Sequence, residues 1–88
     1  MYLSVEISMY PLQDDYKPKI KDFLETLNGN TSDIEIRTSN MSTRLFGEFD
    51  AVNDVLNTSM KESMKRYGKI VFVCKYLQGD ARQLSGYE

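Results

Sequence analysis

The 88-residue chain contains no histidine and one cysteine, and these two scarcities remove whole classes of chemistry. Without an imidazole, histidine-dependent nucleophilic triads cannot be assembled, and the His/Cys sets that hold transition metals have too few ligands. Cys74 has no partner for an intramolecular disulfide. It lies in "IVFVCKY", among residues that favour buried strands, so a packed free thiol is expected. An oxygen-only cation site has no loop signature to mark it. No apolar run approaches the roughly 20 residues needed to cross a bilayer. The opening "MYLSVEISMYPL" carries Glu6 where a signal peptide needs an uninterrupted apolar core, so a cytoplasmic protein is expected. Excess positive charge is also missing. Eleven Lys and Arg stand against 13 Asp and Glu, a net charge of −2, which argues against a nucleic-acid or anionic-membrane partner. Sequons at Asn30, Asn40 and Asn57 read as coincidences without a secretory signal.

What is present is a clear pattern of periodicities. From Tyr2 to Tyr10 the chain alternates, with Leu3, Val5, Ile7 and Met9 on one side and Tyr2, Ser4, Glu6, Ser8 and Tyr10 on the other. That predicts a strand with one buried face, which Pro11 helps to end. "DDYKPKIKDFLETLNG" then sets Tyr16, Ile20, Phe23, Leu24 and Leu27 at helical spacing, with Gly29 as its stop. "DIEIRTS" and "TRLFGEF" predict two further strands joined by a turn over Ser39 to Ser42. A second helix follows, capped by Asp50, with Val52, Val55, Leu56, Met60, Met64 and Tyr67 recurring every three or four residues up to Gly68. "KIVFVCKYL" is the last strand, apolar on both parities, so its outward face stays undecided.

The order βαββαβ is that of a ferredoxin-like α+β sandwich, in which a four-stranded antiparallel sheet carries two helices on one face. Strands one and three would be central. Residues 1–78 form one domain, and residues 79–88 form a polar tail, ordered only if something holds it.

The other sheet face would be bare. Ser4, Glu6, Ser8 and Tyr10 would point there, joined by Arg44, Phe46 and Glu48 beside an apolar stripe from the fourth strand. Such a stripe recruits a partner subunit, so a homo-oligomer, dimer or tetramer, is expected through sheet faces or edges. Glu6 and Glu48 would then need donors or positive charge, and Arg44 can serve one of them. Two readings follow. In the first the face is a structural or regulatory interaction module with an intersubunit ion pair and no ligand. In the second it holds a cationic or amine-bearing aromatic ligand, with ring faces from Tyr10 and Phe46, an acceptor from Glu6 or Glu48, and hydroxyls from Ser8, Ser42 and Thr43. Asn40 and Met41, at the turn, complete the candidate set, and Met41 reads as turn packing rather than as a lid.

"SVEISMYPL", "MST" followed by "GE", and "FDAV" resemble, in order over roughly residues 3 to 77, the YkoF-like thiamine/hydroxymethylpyrimidine-binding family. The resemblance implies a ferredoxin-like fold, assembly through the sheets, and non-catalytic binding of thiamine or its pyrimidine moiety as ligand, with no other cofactor. By position it points to the polar side of the first strand and to Met41-Ser42-Thr43 and Gly47-Glu48. Two other proteins of similar topology fit less well. An acylphosphatase needs a phosphate-cradling loop with an Arg after the first strand, where this chain has "YPLQDDY". "RLFGEF" resembles an RNA-stacking strand, but Glu48 and the overall acidity oppose RNA.

Overall fold

Residue parity builds the sheet. In the computed structural model, which describes residues 1–12, 14–29, 33–39 and 42–83, the alternating first segment forms β1, Tyr2–Pro11. Leu3, Val5 and Ile7 are buried on one of its faces. The chain continues through helix α1 (Tyr16–Gly29), strands β2 (Glu35–Thr38) and β3 (Thr43–Glu48), helix α2 (Phe49–Tyr67) and strand β4 (Ile70–Gln78), and closes on a short 3-10 turn at Ala81–Gln83. All strand pairs are antiparallel, in the order β2-β3-β1-β4. This is the ferredoxin-like βαββαβ arrangement, with β1 and β3 central.

Register decides which side chains share a face. Val5 lies opposite Leu45 and Ile7 opposite Thr43 on the helix side, so Ser4 opposite Phe46 and Glu6 opposite Arg44 belong to the other. The same rule settles β4. Glu6 faces Lys75, Ser8 faces Val73 and Tyr10 faces Val71, which puts Val71, Val73 and Lys75 on the helix-free side. Phe72 and Cys74 pack against the core instead, with the Phe72 ring 5.0 Å from that of Phe23. Burial pushes the Cys74 thiol pKa up, as befits an inert packed side chain.

Both helices bury one stripe. From α1, Phe23 and Leu27 are buried, with Leu24 packed beside them. From α2 the buried stripe is Val52, Val55, Leu56, Ser59 and Ser63. Met64, expected in the core, is 45% exposed. The reason is angular: a 3.6-residue repeat from Val52 passes through Ser59 and Ser63 and leaves Met64 on the flank. The start of α2 also differs from expectation. Glu48, in extended conformation, is the N-cap, and Asp50 sits in the first turn, where its charge suits the helix dipole. Phe49, placed on the core side of the third strand by alternation, begins the helix instead and is exposed; its N–H donates to the Met1 carbonyl at 2.8 Å.

Gly47 has a packing reason. A Cβ at this position would lie 2.7 Å from Ile34 Cγ2 and 3.1 Å from Ile34 Cβ, closer than carbon atoms pack. Gly29 meets nothing within 4 Å. Gly47→Ala should therefore destabilise the fold by about 1–3 kcal/mol through overpacking, whereas Gly29→Ala should stay within about 1 kcal/mol of the parent. Urea denaturation of both variants tests the difference, and equal midpoints would show that Ile34 yields freely.

Candidate functional site

A mismatch in strand length creates a concavity between the sheet and α1. β1 has ten residues and β3 has six, and their pairing ends at Ile7 opposite Thr43. Beyond that point, Ser8 to Pro11 keep β4 on one side but have no β3 partner on the other. There a cavity of about 420 Å³ opens. Its walls are Ile7 to Pro11 of β1, Tyr16, Ile20, Phe23 and Leu24 of α1, and Thr38, Ser39, Ser42 and Thr43 of the β2–β3 hairpin.

Hydroxyl groups organise the hairpin wall. The Ser39 N–H donates to the Ser42 carbonyl at 2.9 Å, and the Ser39 hydroxyl donates to the same oxygen at 3.1 Å. The Ser42 hydroxyl donates to Glu6 Oε2 at 3.0 Å. Thr38 and Thr43 share a hydroxyl–hydroxyl bond of 3.3 Å. Glu6 also has Arg44 Nε at 3.9 Å and Lys75 Nζ at 3.8 Å, one cation from each neighbouring strand. These half-exposed pairs are weak and screened, and they orient the carboxylate more than they stabilise the fold.

The other end of the helix-free face is closed by the chain itself. Gly79, at φ 102°, turns the backbone in a conformation that side chains disfavour. Its N–H donates to the Tyr2 carbonyl at 2.9 Å, and its carbonyl accepts the Ser4 hydroxyl at 2.8 Å. The Ala81 N–H returns a bond to Ser4 Oγ at 2.9 Å. Arg82 then bonds Glu35 at 2.7 Å, Asp80 at 2.6 Å and the Tyr2 hydroxyl at 2.7 Å. Its guanidinium lies 5.3 Å from the Phe46 ring centre and 5.6 Å from that of Tyr2. These contacts hold the first part of the predicted tail. Hydrogen bonds from Arg37 and then Arg82 hold the Glu35 carboxyl below its usual range, and Arg82 does the same for Asp80.

The predicted site residues therefore divide. Glu6, Ser8, Tyr10, Ser42 and Arg44 gather where β3 ends. Of these, Ser8, Tyr10 and Ser42 line the cavity and Glu6 and Arg44 stand outside it; Thr43 reaches the cavity from the helix side, where it is buried. Phe46 is 4% exposed beneath Arg82, so its ring face is covered within the chain. Glu48 pairs with the Met1 amine. It lies opposite Tyr2, four strand positions and about 13 Å along β3 from the partner of Glu6. The two carboxylates share a face but do not converge. Asn40 and Met41 lie outside the described residues. Sequence reasoning missed the α1 wall, because Tyr16, Ile20, Phe23 and Leu24 carry the pattern of core residues. The usable signal was that the first alternating segment is longer than the third.

Among the described residues no group of three or more His, Cys, Asp or Glu could hold a metal ion, and no helix is long and apolar enough to cross a membrane. Residues 3–78 match the model of the YKOF-related family. The chain belongs to that family. Solved structures share its fold at low identity. A candidate thiamine biosynthesis/salvage protein of Thermotoga maritima is 15% identical, with full coverage of both chains and a TM-score of 0.79. A domain of unknown function from Bacillus cereus is 13% identical over 100% of this chain and 91% of its own, with a TM-score of 0.77. A Streptococcus pneumoniae protein is 16% identical over 96% and 93%, with a TM-score of 0.75. No curated protein matches.

For this YKOF-related chain the acid response of the Arg82 contact is predictable. Carboxyls with lowered folded-state pKa values stabilise above their unfolded pKa, and that contribution disappears as pH falls through the folded values. Acidification below about pH 4 should release Arg82 from Glu35 and Asp80 while the core stays folded. NMR of the Ala81 amide should show a transition whose midpoint Arg82→Ala moves up toward the ordinary carboxylate range. An unchanged midpoint in Arg82→Ala would contradict the contact.

Proposed function

We propose that this chain binds thiamine, or its hydroxymethylpyrimidine moiety, without catalysis, in the cleft where β3 ends. The observation that carries the reading is the cleft itself. Its volume of about 420 Å³ falls in the ordinary range for small-molecule sites, and it combines aromatic and aliphatic walls with a few convergent hydroxyls. Tyr10 and Tyr16 offer ring surfaces to a heteroaromatic ligand, and Ser8, Ser39, Ser42 and Thr43 offer hydrogen bonds. Glu6 stands behind Ser42 as the anionic group suited to an amine or a thiazolium cation. Membership of the YKOF-related family, and the thiamine role assigned to the Thermotoga maritima neighbour, support the same ligand class.

The ligand sits at the margin of the helix-free face rather than in its middle, because Phe46 and the neighbouring sheet are covered. Homo-oligomerisation belongs to the same reading. Val71 and Val73 are 43% and 47% exposed on the open half of that face, beside Tyr10. Their burial against a second copy would cover an apolar strip at the cleft mouth, as in a dimer or tetramer. An unpaired thiol suits a reducing compartment such as the cytoplasm.

Thermal denaturation with hydroxymethylpyrimidine, thiamine and control heterocycles tests the reading. A ligand at 100 times its dissociation constant should stabilise by about 2.7 kcal/mol. Tyr16 is 48% exposed, so Tyr16→Ala should leave the unliganded midpoint nearly unchanged while weakening binding about five- to tenfold. No stabilisation by any pyrimidine would favour an interaction module instead.

A further inference from the structure

We propose that Tyr2, Glu35 and Phe46 form a guanidinium-recognition site on the sheet, filled in the free chain by Arg82 and taken over by an arginine side chain that a partner polypeptide presents. The site lies on the covered half of the helix-free face and does not rest on the pyrimidine-binding reading of the cleft. Its parts come from three strands. Glu35 in β2 lies directly opposite Phe46 in β3, and Tyr2 belongs to β1. Arg82 Nη1 donates to Glu35 Oε1 at 2.7 Å, and Nη2 donates to the Tyr2 hydroxyl at 2.7 Å. The guanidinium carbon lies 5.3 Å from the Phe46 ring centre and 5.6 Å from that of Tyr2, within cation–π reach of both.

Site and occupant are separable. Glu35, Tyr2 and Phe46 are placed by the sheet register and keep their positions whatever the tail does. The base of the tail is held independently, because Ser4 bonds the Gly79 carbonyl and the Ala81 N–H, so removing the Arg82 side chain empties the site without freeing the turn. Charge then favours a replacement. Arg37 bonds Glu35 through the other oxygen, Oε2, and lies 5.5 Å from the Phe46 ring, so without Arg82 it is the one cation bonded to the carboxylate pair of Glu35 and Asp80 among the described residues. A planar guanidinium can bond carboxylate and phenol while lying against a ring, whereas a compact ammonium cannot do all three. The Arg82 side chain is 25% exposed and enters from a surface turn, which is how a side chain carried by another polypeptide would arrive.

Titration of the full chain with N-acetylarginine N-methylamide, followed by NMR at the Tyr2, Glu35 and Phe46 amides, tests the inference. Arg82→Ala should bind the probe at least about tenfold more tightly than the parent, in which Arg82 competes at the millimolar effective concentration of a short tether. The lysine and citrulline counterparts, one without the planar fork and one without the charge, should bind Arg82→Ala at least about fivefold more weakly. Adding Glu35→Gln to Arg82→Ala should cost a similar factor. Circular dichroism verifies each fold, and Arg82→Gln repeats the measurement if the alanine variant does not fold. Equal affinity in parent and variant, citrulline binding as well as arginine, or no shift at Tyr2, Glu35 and Phe46 in a folded variant would overturn the inference. Shifts confined to Ser8 and Ser39 would assign the probe to the cleft and overturn it equally.

Discussion

The register between the two central strands governs the whole arrangement. Because side chains alternate with a period of two, placing Ile7 opposite Thr43 puts Val5 and Leu45 under the helices and leaves Glu6 and Arg44 on the uncovered side. A slip of one residue would expose the core and bury the charges. Gly47 holds this register from the outer edge, since only a residue without Cβ lets Ile34 approach so closely. Ser42 holds it from the hairpin end through its bond to Glu6, 36 residues away in sequence.

The same register explains why a cavity forms where it does. A strand that outruns its neighbour leaves backbone without a ladder, and a straight helix lying across the sheet cannot follow both. At this corner α1 offers Tyr16 and Ile20 to the space beyond Thr43 rather than to a strand. Opposite, the chain covers its own sheet with Gly79 to Arg82. One half of the face is thereby closed by hydrogen bonds and stacked guanidinium, and the other half stays open with Val71, Val73 and Lys75 exposed. The sheet is asymmetric in chemistry although its strands are regular.

Legibility in the sequence follows the range of the interactions. Strict alternation in β1 and 3.6-residue spacing in the helices are local, and they foretold the element order, the sheet order and the inward set Leu3, Val5 and Ile7. β4 resisted, because a nearly continuous apolar run has no parity of its own and takes it from β1. Phe46 and Glu48 were assigned to the right face by parity. Their availability depended instead on Arg82 and on the Met1 amine, partners 36 and 47 residues away that no local pattern announces. Tyr16, Ile20, Phe23 and Leu24 were legible as apolar but not as lining, since a helix stripe looks alike over a strand and over a gap.

The division of the sheet face also bears on how a ligand would be held. A site in the centre of the bare face would rely on exposed charge pairs such as Glu6 with Lys75, whose ammonium is largely solvated, and such pairs lose most of their strength to screening. A site at the edge, under α1, draws on apolar walls that exclude water, and there an oriented hydroxyl counts for more than a mobile charge. In this arrangement Glu6 acts through Ser42. It sets the direction of a hydrogen bond at the cleft wall while remaining partly hydrated beside Arg44 and Lys75, so the fold gains orientation without burying a charge.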